Sequence, residues 1–202
     1  QNSYSNPKSI FPTGLRNIRY SFTEKNHLQS RNNYLWFGST GAIHKGLDIL
    51  LDVFYKRDDI ILHICGLDKK ERKILNIRQK DNIIEYGHVD VNSDAYLELI
   101  QKCTYIILPS CSEGFSTAVT TGMLHGLIPI VIKDTGFNRA GDNVILLEDY
   151  KVDYLAETIN ELSCSDPHEL SKLSKKVFDF AQENFSLEAF ENHFRKIMTE
   201  II

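Results

Sequence analysis

The sequence of 202 residues lacks the features that mark several classes of protein. No segment approaches the ~18 consecutive apolar residues that a membrane-spanning helix requires. Lysine and arginine (23) are outnumbered by aspartate and glutamate (27), so the net charge of −4 provides no basic surface for a nucleic acid. The first 33 residues contain no apolar core of a secretory signal, so we expect a cytoplasmic protein.

Cysteine is scarce, and its spacing does not suit a metal or redox site. The four cysteines, Cys65, Cys103, Cys111 and Cys164, form no Cys-x-x-Cys pair, which disfavours a zinc site or a thioredoxin-type motif. A chain of this size without a signal peptide is expected to keep its thiols reduced. We therefore predict four unpaired cysteines and no metal site.

Two regions differ in composition. Residues 1–33 are rich in asparagine, serine and lysine and carry Pro7, Pro12 and Gly14, which is typical of a linker. Residues 34–202 alternate between short apolar runs and segments of helical period, which is typical of an α/β domain. We therefore place the domain boundary at residue 33.

Six apolar runs in the second region predict buried strands, at residues 34–38, 60–66, 83–87, 105–110, 128–133 and 144–147. Because these runs are apolar throughout, they favour a parallel sheet covered on both faces. Helical periodicity predicts helices at residues 46–57, 69–79, 93–103 and 117–124, and three C-terminal helices at residues 152–164, 167–184 and 187–202. The pattern indicates a doubly wound, Rossmann-like parallel sheet of about six strands, followed by C-terminal helices.

In such sheets ligands bind at the loops that follow the strands. The loop after the first strand, residues 38–46, has glycines, hydroxyls and Lys45 ahead of a helix, a composition that suits an anionic group. It is neither a P-loop nor a Gly-x-Gly-x-x-Gly fingerprint, because Lys45 stands between His44 and Gly46. A solvated turn is the alternative interpretation of this loop.

The loop after the fourth strand, residues 109–117, also leads into a helix. Gly114 lets the backbone approach a ligand, and Ser116 or Thr117 can cap the helix, whose first amides attract phosphate. Glu113 would repel phosphate, so it suits the neutral hydroxyls of a sugar better; the alternative is a carboxylate that caps the helix. Residues 69–73, with Glu71 among lysines and an arginine, are interpreted as a solvated face of mixed charge.

Four ordered motifs resemble the C-terminal half of GT-B glycosyltransferases of family 4: residues 45–50 (KGLDIL), 86–89 (YGHV), 108–115 (LPS, then EGF) and 126–131 (GLIPIV). Residues 11–15 (FPTGL) are similar to the family's crossing between domains, and residues 186–190 (SLEAF) to its closing helix. The resemblance covers nearly the whole chain. It implies one Rossmann-like half of a GT-B fold, with residues 1–33 as the linker from an N-terminal acceptor domain.

The resemblance also implies an activity: metal-independent and usually retaining transfer of a sugar from a UDP- or GDP-sugar to a saccharide or a lipid-linked acceptor. No cofactor is implied beyond that substrate. The fragment would be inactive without the acceptor domain, and the whole enzyme would lie in the cytoplasm, with peripheral contact at the inner membrane face as an option.

The same resemblance implies roles for individual residues. Lys45 and Glu113 would be catalytic, Lys45 on the diphosphate and Glu113 on the hydroxyls of the donor sugar. The loop at residues 87–91 would meet the base, and Gly136 would lie near the sugar or acceptor. The remaining donor-binding residues would be Gly38, Ser39, Thr40, His88, Gly114, Phe115, Ser116, Thr117 and Thr121.

Two positions depart from the family pattern. Thr121 stands where the family has a glutamate that binds ribose, and Ser39 stands where it usually has an arginine beside the lysine, unless His44 or Arg139 takes that place. These departures leave a second hypothesis open, a catalytically degenerate module of the same fold that binds a nucleotide or a sugar. A receiver-type phosphate domain is disfavoured, because no acidic pair flanks the end of the first strand.

Overall fold

The computed structural model describes residues 18–111 and 113–201, which contain a six-stranded sheet in the order β3-β2-β1-β4-β5-β6. Every neighbouring pair is parallel. The strands are β1 (Asn33–Phe37), β2 (Ile61–Cys65), β3 (Ile83–Gly87), β4 (Tyr105–Leu108), β5 (Ile128–Ile132) and β6 (Ile145–Leu147). The predicted doubly wound fold with about six strands is therefore confirmed.

The helices of the described chain are α1 (His27–Ser30), α2 (Leu47–Phe54), α3 (Lys69–Ile74), α4 (Asp94–Lys102), α5 (Thr117–Met123), α6 (Val152–Ser163), α7 (Pro167–Phe185) and α8 (Leu187–Ile201). All seven predicted helices are present, but α3 is shorter than predicted because the chain turns at Asn76, whose φ of 47° is left-handed. The short α1 and a 3₁₀ segment at Gly136–Asn143 were not predicted.

The core lies on the central strands. Every residue of β4 and β5 is buried, which agrees with the continuous apolar runs in the sequence. The Tyr34 ring of β1 stacks on the Tyr105 ring of β4, with centroids 5.0 Å apart. This contact joins the two strands at which the order of the sheet reverses, so the centre of the sheet is a rigid base for the loops above it.

Residues 18–33, which the sequence assigns to a linker, pack on the domain in the structure. Lys25 is buried and donates to the carbonyl of Cys103 (3.2 Å), and Nδ1 of the buried His27 hydrogen-bonds Oγ1 of Thr104 (3.0 Å). Satisfied hydrogen bonds allow such polar side chains to be buried, which composition alone does not reveal. The part of the predicted linker in residues 1–17, including the 11–15 motif, lies outside the described residues.

Three features concern the membrane, metal and thiol predictions. Within the described residues, no helix combines the length and apolarity needed to cross a membrane, and no three His, Cys, Asp or Glu side chains are grouped as a metal site would require. All four cysteines are free thiols, and burial raises the pKa of Cys65 and of Cys103 to about 12, so neither forms a thiolate nucleophile at neutral pH.

Candidate functional site

The order of the sheet reverses between β1 and β4. From β1 the chain winds outwards through β2 to β3, and from β4 it winds the other way through β5 to β6. In doubly wound sheets the ligand crevice lies at this reversal, above the carboxyl ends of the strands. The loops after β1 (residues 38–46) and β4 (residues 109–116), both predicted as site loops, meet at this crevice.

Direct hydrogen bonds join the two loops. The carbonyl of His44 accepts from the backbone N–H of Cys111 (2.9 Å) and from the hydroxyl of Ser110 (3.0 Å). Gly46 has a left-handed φ of 72°, and a Cβ at this residue would lie 2.4 Å from the carbonyl oxygen of Pro109. Only glycine allows the backbones to approach this closely, so the loops are held as one unit.

Lys45 lies between these contacts with its ammonium group unneutralised. Its Nζ donates to Oγ of Ser39 (3.2 Å) and to the carbonyl of Thr40 (3.0 Å), while its own carbonyl accepts from the indole N–H of Trp36 (3.2 Å). Within residues 18–111 and 113–201, no carboxylate forms an ion pair with Lys45. A cation held only by neutral oxygens can bind an anionic ligand.

The loop after β2 also belongs to this edge of the sheet. A Cβ on Gly66, whose φ is 84°, would lie 1.9 Å from the carbonyl oxygen of Gly38. Glu71 of α3 accepts hydrogen bonds at Oε1 from the backbone N–H groups of Gly41 and of Ala42. The interpretation of residues 69–73 as a solvated face is therefore wrong for Glu71, and these two amides are not free for a phosphate.

The start of α5 faces the crevice from the β4 side. Ser116 occupies the N-cap position without forming a side-chain cap, and Thr117 is exposed at the first turn. Glu113 is half-buried, and its carboxylate has no hydrogen-bond or ion-pair partner in the described part of the chain, so the capping alternative is not observed. The carbonyl of Gly114 accepts from the N–H of Gly136 (2.6 Å), which brings the loop after β5 to the same place.

Phe115 contributes its backbone to the crevice and its ring to the interior. The ring stacks on Phe137 at 4.3 Å between centroids and meets the edge of Phe185 at 5.2 Å. The aromatic cluster ties the β4 loop to the C-terminal end of α7. The sequence did not reveal this cluster, because Phe137 and Phe185 have no local pattern that links them to residue 115.

Other predicted site residues lie differently. Thr121 is fully buried, and its hydroxyl donates to the carbonyl of Thr117 (2.7 Å), so it has no exposed atom for a ribose. His88 is exposed just beyond β3, two strands from β1 and about 10 Å away across the sheet. Gly38 lies against the Trp36 ring, from which a Cβ would be 2.2 Å away.

The fold and this crevice define a class: a doubly wound α/β domain with a crevice where its sheet order reverses, the place where ligands bind in such sheets. The sequence model of the family described as glycosyl transferases group 1 matches residues 20–178, and the chain belongs to this family. The GT-B resemblance inferred from the four motifs is thereby confirmed.

Individual relatives agree with this assignment. An uncharacterized glycosyltransferase of Methanocaldococcus jannaschii is 29% identical in an alignment of 194 residues that covers 91% of this chain and 53% of that protein. Sucrose-phosphate synthase of Thermosynechococcus elongatus has a TM-score of 0.68 at 18% identity, over 84% of this chain and 45% of that one. Anabaena HepE in complex with UDP-glucose has a TM-score of 0.67 at 15% identity, over 84% of this chain and 49% of the HepE chain. The chain thus spans about half the length of these relatives.

Proposed function

We propose that this chain is the donor-binding domain of a glycosyltransferase that moves a sugar from a UDP- or GDP-sugar to a saccharide or lipid-linked acceptor. The family assignment supports the reaction class, and the structural likeness to HepE, which was solved with UDP-glucose, supports the ligand class. Metal-independent, retaining transfer is the chemistry that the GT-B resemblance implies.

The observation that carries the proposal is a pair of charges at the reversal of the sheet that have no ion-pair partner among the described residues. Lys45 lies on the β1 loop with only neutral acceptors, and Glu113 lies on the β4 loop without a partner among the described residues. A donor diphosphate gains negative charge as the glycosidic bond breaks, so Lys45 stabilises the transition state more than the bound substrate. The free N–H groups at the first turn of α5, from Thr117 onward, add to this stabilisation.

The remaining groups fit the rest of the donor. Glu113 accepts hydrogen bonds from the sugar hydroxyls, and the Gly114–Gly136 backbone contact forms the floor beneath the sugar. Exposed His88, beyond β3, lies on the side where the base would extend. Because Thr121 has no exposed atom, we assign the ribose to backbone groups rather than to Thr121.

Acceptor binding and turnover require a second domain in this proposal. The relatives are about twice as long as the chain, and a GT-B active site lies between two domains according to the resemblance. We therefore expect this domain alone to bind the donor but not to transfer the sugar. The complete enzyme would work in the cytoplasm, in peripheral contact with the inner membrane face when its acceptor is a lipid.

A second candidate function is a binding module of the same fold without catalysis. Two observations favour it: Ser39 leaves Lys45 without the usual neighbouring arginine, and the Thr121 hydroxyl is bonded within α5. Such a module would bind a nucleotide-sugar, but the full-length protein would never turn it over.

Calorimetry of this chain with UDP, GDP, UDP-glucose and GDP-mannose tests the proposed function. We expect at least one of these ligands to bind, and Lys45→Ala to weaken its binding about 10- to 150-fold, because a hydrogen bond to a charged group contributes roughly 1.5–3 kcal/mol. The control is Lys56→Ala, which removes an exposed lysine just beyond the opposite end of α2.

The possible outcomes separate the hypotheses. Binding that Lys45→Ala leaves unchanged would contradict the assignment of the phosphate site. Donor binding without transfer or donor hydrolysis by the full-length protein would favour the non-catalytic module.

A further inference from the structure

Glu71 links α3 to the loop that carries Lys45. Asp68 is the N-cap residue of α3, and its side chain accepts from the N–H of Glu71 (2.8 Å), which fixes the position of Glu71 in the first turn. From there its Oε1 accepts from the N–H groups of Gly41 and Ala42, the latter at 3.1 Å. Its second oxygen, Oε2, is buried without a hydrogen-bond partner in the described structure. Burial of an unpaired oxygen is costly, so the two amide bonds must hold the carboxylate in place.

The loop has two halves with different supports. Residues 44–46 are fixed to the β4 loop through the carbonyl of His44 and to β1 through the indole of Trp36. In the other half, Ser39 and Thr40 are exposed. The next two backbone N–H groups, of residues 41 and 42, are held by Glu71. The hydrogen bonds of the His44 carbonyl and of the Trp36 indole do not include residues 39–42, so Glu71 is the side chain that anchors this half of the loop.

That half of the loop determines where the ammonium group of Lys45 lies. Nζ of Lys45 donates to Oγ of Ser39 and to the carbonyl of Thr40, which directly precede the anchored amides. The N–H of Lys45 also donates to the carbonyl of Gly41 (3.1 Å). If residues 41 and 42 were released, both acceptors of the ammonium group would move, and Lys45 would have to be ordered when the ligand binds.

We propose that Glu71 is a positioning residue that orders the β1 loop so that Lys45 is aligned for the donor diphosphate. The inference rests on the proposed function. Its basis is geometric, since the contribution of Glu71 is to accept two hydrogen bonds. A glutamine at residue 71 keeps an acceptor oxygen at the same place, whereas alanine removes it. The carboxylate charge itself repels a diphosphate, so position and charge predict opposite effects on ligand binding.

The test compares Glu71→Ala with Glu71→Gln in the whole chain, with Glu98→Ala as a control that removes an exposed carboxylate of α4. Hydrogen exchange of the Gly41 and Ala42 amides reports the anchor, and calorimetry with UDP and GDP reports binding. We expect Glu71→Ala to speed exchange and weaken nucleotide binding, each about tenfold, which corresponds to the loss of one net hydrogen bond. Glu71→Gln should retain slow exchange and bind within about threefold of the unaltered chain, and Glu98→Ala should change neither.

Other results would overturn the inference. Equal loss of binding in the alanine and glutamine variants would show that an acceptor oxygen at this place is not enough to align Lys45, which contradicts the geometric basis of the inference. Unchanged or tighter binding in Glu71→Ala would show that the anchor is irrelevant to Lys45. If Glu71→Ala does not fold, Glu71→Asp replaces it, since a side chain shorter by one methylene keeps the charge but should lose the contact and the binding.

The failure of the proposed function has a separate signature. If the unaltered chain binds neither UDP nor GDP, the donor-site proposal is contradicted, and the role of Glu71 in donor binding is contradicted with it. Amide exchange in that case still measures whether Glu71 holds the loop. If the unaltered chain binds a nucleotide but Glu71→Ala and Glu71→Gln bind it with the same affinity, the inference about Glu71 fails. The donor-site proposal is not affected by that result.

Discussion

Acidification should destabilise this domain through three buried, uncharged histidines. Burial, together with the nearby charge of Lys25 for His27 and His125 and of Lys102 for His63, lowers the pKa of each imidazole to about 4. His63 is hydrogen-bonded at both ring nitrogens, to Tyr86 and to Asn33. In the unfolded chain a histidine has a pKa near ~6.5. The unfolded state therefore takes up protons below about pH 6.5, and the folded state takes them up only near pH 4.

The sign and size of the effect follow from these pKa values. Stability contributed by a depressed pKa is complete above the unfolded value and is lost as the pH falls towards the folded one. Between pH 7 and pH 5 each histidine contributes a loss of about 2 kcal/mol, and the three together about 4–6 kcal/mol. That is comparable with the whole stability of a domain, which is roughly 5–15 kcal/mol. Lys25, whose pKa is lowered by burial to about 7, titrates mostly above this window.

Urea unfolding at pH 7 and pH 5 measures the loss. The most informative variant is His125→Phe, because Nε2 of His125 has no hydrogen-bond partner in the described structure and its ring meets Tyr96 edge-on at 5.6 Å. This variant should lose about 2 kcal/mol less than the unaltered chain between the two pH values. His168→Gln, at an exposed residue of α7, should not change the loss. An unaltered pH dependence in His125→Phe would refute the reasoning.

Three substitutions test packing and hydrogen bonding by chemical denaturation, two of them at the site loops and one at the opposite edge of the sheet. Gly46→Ala should cost at least about 3 kcal/mol, since left-handed strain adds to a Cβ contact of 2.4 Å with the Pro109 oxygen. Phe115→Ala should cost about 3–4 kcal/mol by emptying the space against the Phe137 ring. Asn82→Ala should cost about 2–3 kcal/mol, because the amide donates to three carbonyls at and beyond the end of α2. If any of these variants loses less than about 1 kcal/mol of unfolding free energy, the contribution assigned to its contact is contradicted.

The sheet and the site loops could be predicted because their signals are local. A parallel strand buried on both faces needs a short apolar run, and each of the six runs became a strand. Lys45 and Glu113 lie in the loops that follow two such runs, and the doubly wound topology brings the ends of those two strands together. The loops therefore met where the sequence predicted.

The remaining features depend on contacts that sequence spacing does not encode. Glu71 lies in a stretch of mixed charge that resembles any solvated helix, and its bonds to the β1 loop span about 30 residues. Lys25 lies in a polar stretch, yet a backbone carbonyl 78 residues away satisfies it in the core. The resemblance assigns ribose binding to the position of Thr121, but in helix α5 the Thr121 hydroxyl donates to the backbone carbonyl of Thr117. Tertiary hydrogen bonds decide each of these cases.

Backbone amide NMR during a titration with UDP or GDP tests the central claim most directly. If the diphosphate lies where the sheet order reverses, the largest shift changes should fall on residues 38–46 and 113–118, with Lys45 and Thr117 among them. A second groove, lined by His63, Asn33 and Tyr86, serves as an internal control. The chemical shifts of the amides around His63 should change little. Saturable binding with its largest changes in that groove, and none at Lys45 and Thr117, would contradict the account.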